Sequence, residues 1–253
     1  MGDSMTSPTL LSDFCGTGLA AAMPASPNVP AGAMAFYYQA DTTTLKLWNG
    51  SAWITAPAGV TPTIVQNNSN VGASIDSVVM GSAPTNGNLL VAICIGNTID
   101  SPGSGWSDFA HVTTSGPSLD FHFAIYTKIA GAGESTTQQP MSSTQNCGIT
   151  IYEIGSGGAC SLWNDNEAQS GTATTTTLKT LGARGLIIGA VLNANATTQP
   201  SSYTGATADT GVTGGGRAQQ GFHVTNPISG SNVVTANYGS SQSGVYMASV
   251  WVI

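Results

Sequence analysis

The 253-residue chain is 7% charged, with 5 Lys and Arg against 12 Asp and Glu and a net charge of -7. Ordinary soluble domains carry about 25% charged residues, and a phosphate-binding surface needs clustered Lys and Arg; nucleic acid is therefore not expected as a partner. No apolar run reaches the roughly 18 residues of a membrane span, and no basic stretch leads into an apolar one at the N-terminus, so neither membrane insertion nor a secretory signal is expected.

The 32 Gly and 12 Pro follow no G-x-y period, which excludes collagen, and 41% apolar content argues against disorder in the body of the chain. Residues 1–33 carry Pro8, Pro24, Pro27 and Pro30 and a short Leu-Leu-Ser-Asp-Phe14 stretch, with no sustained period. They read as an extended arm that becomes ordered only against something else, with Phe14 as its anchor.

Residues 34–56 hold the densest aromatic stretch: Phe36, Tyr37, Tyr38, Trp48 and Trp53. Polar turns at 41–44 and at Asn49-Gly50 divide it into a three-armed hairpin meander, since Asn-Gly tolerates the positive φ of a type I′ turn. So small a unit buries little alone and needs a neighbour over its aromatics. Residues 57–62, Pro-Ala-Gly-Val-Thr-Pro, form a linker.

The body, 63–253, reads as all-β. The uninterrupted apolar run 88–95 is of strand length and lies between Gly87 and Gly96, so it reads as a strand buried on both faces. Residues 120–128 alternate, with Phe121, Phe123 and Ile125 against His122, Ala124 and Tyr126. Residues 147–154 also alternate, with Ile149, Ile151 and Glu153 against Thr150, Tyr152 and Ile154. The second half reads as a faded copy of the first. The run 185–192 matches 88–95, Tyr203 stands in the place of Trp106, 221–225 parallels 120–124, and 245–253 parallels 148–154. Two such halves predict a jelly-roll-like antiparallel β-sandwich, with alternate strands in opposite sheets.

Chemistry-bearing patterns are sparse. Gly-x-Ser-x-Gly is absent. His122 and His223 match in the two halves and read as edge-of-core residues, and His111 stands alone. The carboxylate pairs available to a glycosidase are Asp165 with Glu167 and Asp108 with Asp120; both sit in turn-rich sequence, where acids serve the turns. No Cys/His or Asp spacing fits zinc or calcium, so no metal, cofactor or enzymatic activity is expected. Cys94 reads as a small core residue, and Cys147 and Cys160 as thiols able to meet across a loop. Trp106, Trp163 and Tyr203 fall in expected loops, where they either cap the core or stack on a sugar. The sequons at Asn49, Asn67 and Asn195 carry no weight without a secretory route.

Two stretches resemble tailed-bacteriophage virion proteins. Residues 35–53, with the aromatic strand, the Asp/Thr turn and the Trp48-Asn-Gly-Ser-Ala-Trp53 close, resemble a short β-unit of phage fibre and head-decoration proteins. Gly87-Asn-Leu-Leu-Val-Ala, Gly105-Trp106, Lys128-Ile-Ala-Gly131 and the Ile149-Thr-Ile-Tyr-Glu153 strand are similar to a β-sandwich module of phage structural and tail-fibre proteins. The resemblance implies a virion location and a non-enzymatic structural role, with capsid decoration or a head fibre first. Self-association as a homotrimer and contact with the capsid shell follow from it. A tail-fibre module recognising host surface glycan is the alternative, and a glycan depolymerase is the third reading.

Overall fold

A computed structural model describes residues 15–18, 36–39, 44–48 and 53–55, then 62–253 except 116–119, 156–159, 169–172, 183–184, 226, 228–229 and 243. Phe14 lies outside the described residues. The chain divides into two units, 1–60 and 61–253.

The first unit is a four-stranded sheet. It comprises β1 (Cys15–Gly18), β2 (Phe36–Gln39), β3 (Thr44–Trp48) and β4 (Trp53–Thr55) in that order. The three predicted arms are β2, β3 and β4, paired antiparallel. Within the arm, Cys15–Gly18 adds to this chain's own sheet, parallel to β2. Trp48 pairs directly with Trp53. Four residues therefore join β3 to β4, where a type I′ turn at Asn49-Gly50 takes two. Tyr37 is buried and opposite Lys46.

The body is all-β: among its described residues there is no helix. Its first half contains β5 (Thr63–Ile75), β6 (Val78–Val79), β7 (Leu89–Gly96), β8 (Ser107–Ser115), β9 (Asp120–Ile129), β10 (Thr137–Gln138) and β11 (Gln145–Gly155). Its second half contains β12 (Cys160–Ala168), β13 (Ala173–Gly182), β14 (Leu186–Asn193), β15 (Ser202–Thr204), β16 (Thr207–Gly214), β17 (Arg217–Thr225), β18 (Gly230–Gln242) and β19 (Val245–Val252). The first half makes a five-stranded antiparallel sheet of order β5-β11-β7-β9-β8, and the second repeats it as β12-β19-β14-β17-β16. In both, the last strand returns to insert beside the first. Each half thus gathers five of its strands into one sheet, where the expected alternation would have shared them between two; β6 and β10 form a separate two-stranded sheet, and β13, β15 and β18 a three-stranded one.

The two sheets pack face to face into one apolar layer. Leu89, Val91, Ile93 and Ile95 of β7 meet Leu186, Ile188, Ala190 and Leu192 of β14 there, with Ile154, Val250 and Val252. The outer face of the first sheet is also covered: Leu90, Ala92, Cys94, Ile149 and Ile151 pack under Val78, Met80, Ile99, Trp106 and Met141. The outer face of the second packs Val191, Phe222, Val245 and Met247 against Val234, Ala236 and Tyr238 of a third sheet, β13-β18-β15. Double coverage is why β7 and β14 read as continuous apolar runs; all eight residues of each are buried. Each fully buried Leu or Ile contributes about 1.5–3 kcal/mol.

The duplication extends to irregularities. The β8–β9 ladder has a bulge between Asp108 and Ala110, and the β16–β17 ladder has one between Ala208 and Gly211, at the same place in the repeat. Before each bulged strand stands a left-handed glycine, Gly105 at φ 79° and Gly205 at φ 81°. Trp106 therefore aligns with Ala206, not with Tyr203. Register also separates the histidines. Leu89 corresponds to Leu186, so His122, opposite Gly96, corresponds to Ala218, while His223 corresponds to Thr127. The expected equivalence of His122 and His223 came from a shared Phe-His dipeptide; the ladder places those dipeptides several residues apart.

Candidate functional site

The predicted ligand-contact aromatics are placed as follows. Trp106 is 6% exposed and packs in the core over the outer face of the first sheet; it offers no face to a sugar ring. Gly105 turns the chain, and the Trp106 N–H donates to the Gly103 carbonyl at 3.0 Å, so the indole is delivered inward. Tyr203 lies on β15 and stacks at 5.5 Å on Phe222, its ring part of the interior between the second and third sheets. Trp163 is on β12, opposite Val250. Of the anchor set, Phe36, Tyr37, Tyr38, Trp48 and Trp53 lie on β2, β3 and β4.

The carboxylates of both expected pairs lie on strands, not in turns. Asp108 is opposite Tyr126 and Asp120 opposite Ser115, six ladder positions apart. That is roughly 20 Å at 3.3–3.4 Å per residue, against the ~5–9.5 Å the reaction needs. Asp165 and Glu167 both belong to strand β12. His111 sits beside Asp108 at 3.9 Å and near the His122 ring at 5.9 Å. Cys147 belongs to the outer cluster of the first sheet and Cys160 to the layer between the sheets, so the sheet itself separates them, and both are free. Burial pushes the Cys147 and Cys160 thiols each up to about 12, which keeps them protonated.

What the structure does assemble is a polar cluster inside the sandwich. Tyr152 of β11 reaches across to the second sheet, where its hydroxyl lies 2.8 Å from the Gly189 carbonyl, 2.9 Å from Asp209 Oδ2 and 3.0 Å from the Phe222 carbonyl. A hydroxyl has one proton, and the charge-assisted bond to the carboxylate is the strongest of the three. Burial first, and then the nearby Asp209, hold the Tyr152 pKa well above its ordinary value. It therefore acts as a donor, never as a phenolate. Asp209 is placed by the β16 bulge, and its other oxygen lies 2.8 Å from His223 Nδ1. This fixes His223 with its Nδ1–H on the carboxylate.

Beside this group, Gln219 Nε2 donates to Thr150 Oγ1 at 3.0 Å, and Thr150 shares a 2.9 Å hydrogen bond with Ser69. Ser69 also donates to the Thr210 carbonyl at 3.2 Å, and the Thr210 N–H donates to Asn67 Oδ1 at 3.0 Å. Asn67, one of the three sequons, is thus engaged within the sandwich. At one end Arg217 donates to the Asn146 carbonyl at 3.2 Å and to Asn97 Oδ1 at 2.9 Å. Every one of these bonds runs between the halves or supports one that does.

A second polar group lies on the outer face of the first sheet. Glu153 is fully buried, and its carboxylate accepts from Gln66 Nε2 (2.6 Å), the Thr85 N–H (2.8 Å) and Asn88 Nδ2 (2.6 Å). Burial alone raises its pKa, but the bonds from Gln66, Thr85 and Asn88 outweigh that and hold it below the usual value. Gln66, Asn68 and Asn70, alternate residues of β5, also donate to the carbonyls of Ser82, Val79 and Ser77 and pin the segment that follows. Nearby, the Lys-x-Ala-Gly motif closes the sheet end. Lys128 and Glu134 pair at 2.6 Å, the Ala130 N–H donates to the Asn88 carbonyl, and the Gly131 N–H to Glu134.

Glu153 had a legible signal, a carboxylate on the same strand face as Ile149 and Ile151. Tyr152, Asp209 and Gln219 had none, because their partners across the sandwich lie 37 to 70 residues away. Among the described residues no three metal-ligating side chains gather, and no helix is long and apolar enough to cross a membrane. The chain matches no family model, no curated protein and no solved structure.

Proposed function

We propose that the chain is a structural protein of a phage virion, a capsid-decoration or head-fibre subunit that works by association and not by turnover. The observation that carries this is the separation of the chain into two units of opposite character. The body turns Trp106, Tyr152 and Tyr203 inward and braces one half against the other through Tyr152, Thr150 and Gln219. The smaller unit concentrates Phe36, Tyr37, Tyr38, Trp48 and Trp53 on strands of three to five residues. A sheet that small is marginal by itself and calls for apolar cover. In this reading a homotrimer supplies the cover, residues 1–33 attach it to the capsid shell, and the body faces outward. Burial of the aromatics at about 25 cal/mol per Å² holds the assembly, and low charge makes that hold insensitive to salt. The inward placement of Trp106 and Tyr203 removes support from the glycan-recognition reading.

Light scattering of the full chain against a chain starting at Thr61 tests this. A trimer that becomes a monomer on truncation is expected, and Trp48→Ala with Trp53→Ala should have the same effect while the body stays folded. A truncated body that remains trimeric overturns the assignment.

A further inference from the structure

The two halves share a backbone plan, but their inner faces are not interchangeable. By register, Phe123 corresponds to Gln219, Ile125 to Gly221, Gly148 to Tyr246 and Tyr152 to Val250. In the bulged strands, Phe109 corresponds to Asp209. Contacts across the sandwich are reciprocal. The Phe123 ring lies 6.3 Å from that of Tyr246. In the opposite sense Gln219 lies over Gly148, where a Cβ would fall 2.3 Å from Gln219 Oε1. Tyr152 lies over Gly221, where a Cβ would fall 2.5 Å from the hydroxyl, while the counterparts Ile125 and Val250 share the apolar layer. This is the reciprocity of an approximate two-fold axis.

The order of large and small, and of apolar and polar, differs on the two sides of that axis. Packing a first half on a second copy of itself would put Ile125 where Gly221 now admits the Tyr152 hydroxyl. It would also bring Phe109 up to that hydroxyl in place of Asp209, and leave Thr150 without Gln219. Packing a second half on its own copy would drive Gln219 into Tyr246 instead of Gly148, and bury Asp209 against Val250 with no hydroxyl to receive. Each homotypic pairing meets both a collision and an unpaired buried polar group.

We propose that Gly148, Tyr152, Asp209, Gln219 and Gly221 form a pairing code: the inner face of the first half accepts the second half and rejects a second copy of itself. Duplicated halves with one backbone plan invite exchange between neighbouring chains, most of all in a crowded assembly. Repulsion built into the wrong pair is the physical means of preventing it. The buried polar bonds thus serve specificity as well as cohesion.

The test uses the full chain with one protease site introduced between Gly155 and Cys160. The protein is cut after folding, unfolded in denaturant, refolded and examined by native mass spectrometry. The informative species is the homodimer of the C-terminal fragment, which lacks the aromatic unit and so reports on the sandwich face alone. The native sequence should give only pairs of unlike halves. A symmetrised chain (Gly148→Tyr, Tyr152→Val, Asp209→Phe, Gln219→Phe, Gly221→Ile) should raise the C-terminal homodimer at least about tenfold, a factor worth 1.4 kcal/mol. Equal homodimer in both overturns the code.

Should the symmetrised chain fail to refold, the uncut chain carries the test through Tyr152→Val, Gly221→Ile and their double variant. Gly221→Ile alone should strongly reduce the folded fraction. Adding Tyr152→Val should recover at least about tenfold in the folding equilibrium constant, within the range for residues in contact. Simple additivity of the two losses overturns the proposal.

Discussion

Glu153→Leu should cost the body about 2–3 kcal/mol and shift its urea midpoint accordingly. Leucine fits the apolar face of β11 that carries Ile149 and Ile151, so volume is not the difficulty. The loss comes from the donors left behind. The Thr85 N–H and Asn88 Nδ2 both point at the carboxylate, and Gln66 keeps only its second acceptor, the Ser82 carbonyl. An orphaned buried donor costs about 1–3 kcal/mol. Thr85 is an exposed residue and Gln66 and Asn88 are half-buried, so water relieves part of that penalty and each falls at the low end. The sum is still a substantial share of a typical domain's roughly 5–15 kcal/mol.

The same carboxylate sets a pH dependence. Its folded pKa lies below its unfolded value. Its stabilisation is therefore complete above the unfolded value of about 4.3 and is lost as pH falls through the folded pKa. Urea midpoints of the native chain should drop more steeply below about pH 4.3 than those of Glu153→Gln, which has no proton to gain there. Other acids titrate in both proteins, so the difference between the two curves isolates Glu153. Parallel curves would refute the assignment, as would a Glu153→Leu protein of native stability.

Gly189→Ala should cost about 3 kcal/mol, the upper part of the range for overpacking a core. A Cβ at Gly189 would lie 2.0 Å from Phe222 Cζ and 2.5 Å from two further ring carbons. The repeat shows why the glycine is needed here and not in the first half. The corresponding pair is Ala92 and Tyr126, cross-strand partners like Gly189 and Phe222. There an alanine is accommodated because Tyr126 directs its hydroxyl to the Asp100 carbonyl in the loop cover. In the second half the Phe222 ring lies over Gly189 and stacks on Tyr203 beneath the third sheet. Denaturation of Gly189→Ala, Phe222→Leu and the double variant gives the coupling between them. The double variant should be more stable than the sum of single losses allows by about 1 kcal/mol or more. Additive losses would place the strain elsewhere.

The chain's low charge and recurrent apolar runs determined an all-β architecture, and the runs at 88–95 and 185–192 marked the two strands buried on both faces. Period-two alternation placed Glu153 among isoleucines. The repetition of pattern across the body exposed the duplication. These are local properties, set by hydrophobic burial and backbone period within a few residues. Tertiary structure alone decided which side chains meet. Ladder register and bulges shifted the alignment of the halves, which parted His122 from His223 and matched Trp106 to Ala206. The last strand of each half inserts beside its first, so each half closes its own sheet and the halves meet face to face. A glycine there makes room for Tyr152 and another for Gln219, because what a residue may be at that interface depends on the side chain arriving from the other sheet, and no spacing along the chain records that.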